Sequence, residues 1–319
     1  MNDATDAKPL IEDIFFAHDR EMAARMAADG SSVAHYTTAA NAVNIIRGRT
    51  LWLRNAKLMN DYSEIDYGRW CVAGALGRIK NDWQAALDGI HTGLFDQVTE
   101  RFVSLENHRL THTYILSLSE HLASEDTLGR LSMWRAYGGV AGGVALIFKL
   151  SIFDQDPDGL EVYTSAVRYT DQDGYLSFLG TVIEQLKARV IELRALTAPD
   201  LVDAISGFLH YAVLSTKHPA FAEERELRLI TGVNPSAIAS MGVEVVNGAP
   251  QVVWKLPLEN RPAVNYTGDL QSILRRVIVG PVVQPPIVNE ALRIELAGQG
   301  ITNADEIVHT SWVPLRNPL

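Results

Sequence analysis

The chain has 319 residues, 47% hydrophobic and 21% charged, an ordinary balance for one large globular domain or two of common size. A net charge of −10 argues against a broad phosphate-binding surface, because nonspecific nucleic-acid binding runs on lysine and arginine. The single cysteine, Cys71, excludes an internal disulfide and a cysteine-based zinc site, and no apolar run reaches the length of a membrane span. With no basic-then-apolar leader, the sequence reads as a soluble, cytoplasmic protein.

Residues 1–9 are polar, and Ile11, Ile14, Phe15, Met22 and Met26 then recur at helical spacing up to Gly30. Residues 1–33 are therefore expected as an N-terminal helical segment. The stretch from Ala34 to Leu53 is the one around which the rest of the chain is organised. It predicts a strand ending in His35-Tyr36-Thr37, a helix capped by Thr37 or Thr38, and a second strand from Leu51-Trp52-Leu53. Gly48 stands where a left-handed C-terminal cap belongs. A His-Tyr pair at a strand end, ahead of a helix that packs under it, lies where a pocket can form.

Asn60, Asp61 and Glu64 are expected to cap the helix after them, and residues 63–105 to form a long or broken helix pair interrupted near Gly89 and Gly93. Residues 113–119 are a strand by their β-formers. Its alternation sets Ser117 and Ser119 on one face and Leu116 and Leu118 on the other, the pattern of a half-exposed strand. A short helix or turn over 128–137 carries Trp134 and Tyr137, simplest as core anchors, and the glycines at 138, 139, 142 and 143 lead into a buried strand over 144–148. They precede a strand rather than a helix, so they make no phosphate loop.

A strand over 160–169, helices over 172–196 and 199–215, and a strand in the second half of 217–230 come next. Two β-rich runs, 241–247 and 251–256, are joined by Asn247-Gly248, a hairpin signal. Helices over 268–275 and 287–298 and strands over 276–280 and 305–310 close the chain. The expected architecture is one α+β domain over 34–319, with mixed, mostly antiparallel sheets and helical insertions near 63–105 and 172–215.

In a strand, Glu224, Glu226 and Arg228 share one face. Spacing alone favours a surface ion-pair ladder of little energy. The alternative is a site in which Arg228 holds one carboxylate ionised while the other works. His35 is as a lone histidine more often a satisfied structural residue, yet its neutral ring offers one donor and one acceptor, suited to a ribose hydroxyl. Tyr36 can stack on a planar ring or fill core. His108 and His112 lack a third ligand, so no metal is expected. No Gly-x-Ser-x-Gly elbow occurs, which argues against a serine hydrolase.

His35-Tyr36-Thr37, Leu51-Trp52-Leu53, Met59-Asn60-Asp61 with Glu64, Ser117-Leu118-Ser119-Glu120, Met133-Trp134-Arg135-Ala136-Tyr137-Gly138-Gly139, Lys217-His218-Pro219, Glu224-Arg225-Glu226-Leu227-Arg228 and Ile278-Val279-Gly280-Pro281 stand in this order. With Ser311 to Arg316 they make the chain closely resemble the bacterial domain-of-unknown-function 2971 family over about residues 34–316. Leu227 replaces the aromatic usual there.

More distantly, the opening strand, helix and glycine resemble the start of the ADP-ribosyltransferase fold, which implies a split sheet and three motifs in order. The counterparts are His35, Ser117 with Ser119, and Glu224-x-Glu226. This resemblance implies NAD as a substrate, cleaved at its nicotinamide–ribose bond, with Glu226 stabilising the developing charge and Glu224 orienting an acceptor or supporting Glu226. His35 would hold the adenosine-side ribose. Tyr36 or Tyr137 would stack on nicotinamide. Thr37, Ser117, Ser119, Trp134 and Arg228 complete the implied NAD-binding set. The implied activity is that of a toxin or phage-defence effector modifying protein or nucleic acid. An NAD glycohydrolase or a silent nucleotide-, RNA- or protein-binding module on the same fold are the alternatives.

Overall fold

The computed structural model describes residues 4–58, 62–139, 142–150, 162–231, 240–246, 248–264 and 266–314. In chain order the elements are α1 (Ala4–Phe15), α2 (Ala17–Ala28), β1 (Ser32–Thr38), α3 (Ala39–Gly48), β2 (Thr50–Asn55), α4 (Tyr62–Arg78), α5 (Lys80–Ile90), α6 (Leu94–Thr111), β3 (Tyr114–His121), α7 (Leu131–Tyr137) and β4 (Gly143–Lys149). They continue with β5 (Val162–Ala166), β6 (Arg168–Tyr169), α8 (Gln172–Ala188), α9 (Val190–Arg194), α10 (Ala198–Leu214), β7 (Thr216–Lys217) and β8 (Glu226–Thr231). The last are β9 (Ser240–Val246), β10 (Ala249–Pro257), α11 (Leu270–Ile273), β11 (Leu274–Val279), α12 (Pro285–Gly298), α13 (Ala304–Ile307) and β12 (Val308–Thr310).

These elements gather into two compact units. One comprises Met1–Ala23, Ala56–Thr113 and Ser165–Ala222, so both expected insertions and the first helix form a unit of their own. It is helical, with α10 lying against α6 and α4, α4 against α8, and β6 and β7 making a short parallel pair. A Cβ at Gly68 on α4 would stand 2.1 Å from the Val213 carbonyl oxygen of α10, so only glycine allows this crossing.

The other unit comprises Ala24–Asn55, Tyr114–Thr164 and Glu223–Leu319 and is built on a mixed, mostly antiparallel sheet. Its main path runs β12-β11-β4-β1-β3-β2-β10-β9, with β8 on the other edge of β3 and β5 beside β8. Only β11 and β12 run parallel in that path. One face carries Val33, Leu116, Leu118, Leu146, Leu227 and Leu229 against α3, α12 and α13, through Ala42, Ile46, Leu292, Leu296 and Ile307. The opposite face packs Ala34, Tyr36, Ala145, Ile147 and Ile278 against Met133 and Trp134 of α7.

The cap of α3 differs from expectation at one end. Thr38 is its N-cap, accepting from the Asn41 N–H at 3.2 Å. The left-handed residue at the other end is Arg49, with φ 47°, while Gly48 stays in the helix. The Arg49 guanidinium bonds the side chain and carbonyl of Gln299, which ties this uncommon conformation to α12's end. The region expected as one helix pair over 63–105 holds three helices, the last break falling between Ile90 and Leu94, as Gly93 suggests. Asn60, Asp61 and Asn247 lie outside the described residues.

Candidate functional site

β1 pairs with β3 over only part of its length. Ser32, Val33 and Ala34 pair with His121, Glu120 and Ser119 of β3, after which β1 keeps only β4, through Thr38 opposite Gly143. Farther along the same edge of β3, Arg54 and Asn55 of β2 pair with Ile115 and Tyr114. Leu116 to Leu118 lie between these two ladders. The His35 ring bridges to this stretch, with Nδ1 at 3.4 Å from the Ser117 carbonyl oxygen. Burial pushes its pKa down to about 4, and the bond to Ser117 opposes that only in part. The neutral ring therefore donates Nδ1–H to that carbonyl near neutral pH.

On the opposite edge of β3, β8 pairs in a register that sets Ser117 across from Arg228 and Ser119 across from Glu226. Directly opposed residues share a face, so these four side chains form one polar patch on the α7 side of the sheet. Glu226 and Arg228 are 6% and 4% exposed, so the ion pair is buried, not the surface ladder that spacing favours. Arg228 grips the carboxylate twice, Nε to Oε1 at 2.8 Å and Nη2 to Oε2 at 3.1 Å. In a low-dielectric setting this two-point geometry compensates both buried charges.

Glu224 is not part of that strand. It ends a 3-10 turn over Pro219–Glu224, and Arg225, with φ 44°, breaks the alternation before β8 begins. Its carbonyl accepts from Ser119 Oγ at 2.5 Å and from Arg130 Nη1 at 3.0 Å.

Arg130, which no motif or spacing singles out, is the hub beneath this turn. Its guanidinium also donates to the carbonyls of Glu120 and Glu223, to Ser119 Oγ and to the Glu125 carboxylate. Burial works to raise the Glu125 carboxyl, and the Arg130 hydrogen bond leads the contacts that bring it below its ordinary value. The Arg130 main-chain N–H donates to Tyr36 Oη at 3.0 Å.

The aromatic residues fall on the same face, but two of them are core. Tyr36 stands edge-on to Trp134 with ring centres 4.7 Å apart, and burial raises its hydroxyl pKa to about 12. Trp134 donates to the Leu128 carbonyl and is wrapped by Gly129, Gly143 and Gly280, where any Cβ would approach its ring within 3.0 Å. Tyr137 is partly exposed beside this cluster.

Thus Tyr36, Ser117, Ser119, Trp134, Tyr137, Glu226 and Arg228 gather on one side of the sheet. His35 and Thr37 do not. They pair with Leu146 and Val144, whose side chains belong to the α3 face. The pleat separates His35 from Glu226, and the His35 contact with the Ser117 main chain links the two faces.

In the helical unit, two further motif residues meet. Lys217, 2% exposed, places Nζ at 2.5 Å from Glu64 Oε1 and lies over the Phe221 ring. Glu64 is thus one half of a partly buried ion pair, where sequence suggests a helix cap. Among the described residues no group of three histidine, cysteine, aspartate or glutamate side chains is placed to hold a metal.

Residues 133–229 match the family model described as Protein of unknown function (DUF2971). That span runs from α7 to β8 and takes in Trp134, Tyr137, Lys217, Glu226 and Arg228. No curated protein and no solved structure matches the chain. No helix among the described residues is long and apolar enough to cross a membrane.

Proposed function

We propose that this protein is an NAD-consuming enzyme of the ADP-ribosyltransferase type. The observation that carries the reading is the pairing of a serine strand with an acidic strand, Ser119 opposite Glu226, beside the point where β1 parts from β3. In this reading the bond between nicotinamide and ribose breaks with its electron pair leaving on the nicotinamide nitrogen. Glu226 stabilises the positive charge that develops on the ribose, and Arg228 fixes the carboxylate. An acceptor oxygen then bonds the same carbon and gives up its proton. Glu224 serves the acceptor side. His35 lies on the other face and reaches this patch only through its bond to the Ser117 carbonyl, so it is left out of the ribose contacts. Tyr137 replaces Tyr36 as the ring for nicotinamide, because Trp134 already holds Tyr36. A macromolecular acceptor, protein or nucleic acid, would make the protein a toxin or phage-defence effector, and water would make it an NAD glycohydrolase.

One observation favours a second reading. A carboxylate held at two points by a buried arginine is not offered to a substrate until that pair opens. A module that binds a nucleotide, an RNA or a partner protein without turnover keeps the pair closed.

Incubation with NAD, following nicotinamide release and NAD binding in parallel, decides between them. The enzyme reading expects release that falls by roughly a hundredfold or more in Glu226→Gln, the scale of losing one transition-state electrostatic contact. Binding without release selects the module. Neither binding nor release ends the NAD assignment.

A further inference from the structure

The helical unit holds a cavity of about 30 Å³ lined by residues of α1, α2, β5, β6, α8 and α10. Three buried polar atoms on its wall have no protein partner among the described residues: His18 Nε2, Tyr175 Oη and Ser215 Oγ. Tyr175 is 1% exposed, so its hydroxyl meets no bulk solvent. Native proteins leave few such groups unpaired, and three on one wall are more than packing alone explains.

A cation completes the wall. The Arg168 guanidinium lies flat over the Phe178 ring, its central carbon 3.8 Å from the ring centre. That stacking covers one face of the guanidinium and leaves its in-plane edge to donate. The nearby Asp19 carboxylate already accepts from Ser165 Oγ and the Ala166 N–H. Burial lowers the pKa of Arg168, with Tyr175, Asp19 and Glu21 only partly offsetting it. The His18 ring bonds the Val167 main chain and is pushed down to about 4 by burial and then by Arg168, so its Nε2 is an acceptor at neutral pH.

We infer that this cavity is a binding site for a short 2-hydroxy acid, its carboxylate on the edge of Arg168 and on the hydroxyls of Tyr175 and Ser215, its own hydroxyl donating to His18 Nε2. The planar guanidinium edge matches a carboxylate. The lone acceptor requires a ligand that also donates. This site is separate from the Glu226 patch and does not depend on the NAD assignment.

The test is calorimetric titration of the 319-residue chain with glycolate, acetate and chloride at equal ionic strength. Saturable glycolate binding is expected, about tenfold tighter than acetate, the ratio for one added hydrogen bond to a buried acceptor. Chloride should show none. Arg168→Gln should abolish glycolate binding. Tyr175→Phe, which keeps the ring, should weaken it severalfold while leaving the fold intact by circular dichroism. Equal heats for the three anions, or glycolate binding unchanged in both variants, would overturn the assignment and leave the cavity to ordered water.

Discussion

Arg130 bonds the carbonyls of Glu120, Glu223 and Glu224 together with Ser119 and Glu125, so it fastens the turn that delivers Glu226 to the sheet. It is 7% exposed, and removing it takes a hydrogen-bond donor away from the Glu125 carboxylate and from three carbonyls. Arg130→Met should therefore cost about 3–5 kcal/mol in urea unfolding, the scale for breaking a buried charged network. Arg130→Lys should recover little, since an ammonium cannot reproduce the planar fork. A loss below about 1 kcal/mol would show that the turn holds itself. His35 sets a pH dependence in the same region. Its pKa is near 4 when folded, against an ordinary 6.5. The unfolded chain thus binds the proton more readily, so this contribution is complete above the ordinary value and is lost as pH falls from there toward about 4. His18 adds in the same direction and window. Unfolding midpoints measured across that range should fall with acid, and His35→Gln should flatten part of the slope. An unchanged slope would mean the ring is protonated in the fold.

At the scale of elements, α4 carries its own control. Gly68 faces the Val213 carbonyl, whereas a Cβ at Gly77 would meet nothing within 4 Å. Gly68→Ala should destabilise by about 1–3 kcal/mol through overpacking. Gly77→Ala should stabilise by up to about 1 kcal/mol, because alanine is the better helix former. Thermal melts of the two variants should shift in opposite directions, and a shared sign would refute the crossing drawn for α4 and α10. Sequence shows neither difference, because both glycines sit in one helical pattern and only the neighbour across the gap tells them apart. The serine and leucine alternation of β3, by contrast, is legible residue by residue, since its period is local. Alternation fails at Glu224, where the left-handed Arg225 stops it one residue too early for Glu224 to join Glu226. It also hides His35: the sequence shows a histidine at a strand end, but only the register with Leu146 assigns its face. Arg130 is invisible for a related reason, as its partners are mostly carbonyls, which every residue has.

At the scale of the molecule, the chain passes between its two units after Ala23, Asn55, Thr113, Thr164 and Ala222, so neither unit is a continuous segment. Sequence does not reveal this, because no proline- or serine-rich linker marks a crossing, and those after Ala23 and Thr164 fall inside α2 and β5. The consequence concerns the span that matches the family model. Residues 133–229 contain β4 without its neighbours β1 and β11, and most of β8 with β5 but without β3. They also contain α8 and α10 without α4 and α6, on which those helices pack. An excised 133–229 fragment would thus expose apolar faces that the whole chain covers, with unpaired strand edges beside them. It should show no cooperative thermal transition by circular dichroism and poor amide dispersion by NMR, whereas the full chain should show both cooperative melting and wide dispersion. A sharp transition in the fragment would mean that its strands and helices need none of these neighbours, and that the matched span is a folding unit in its own right.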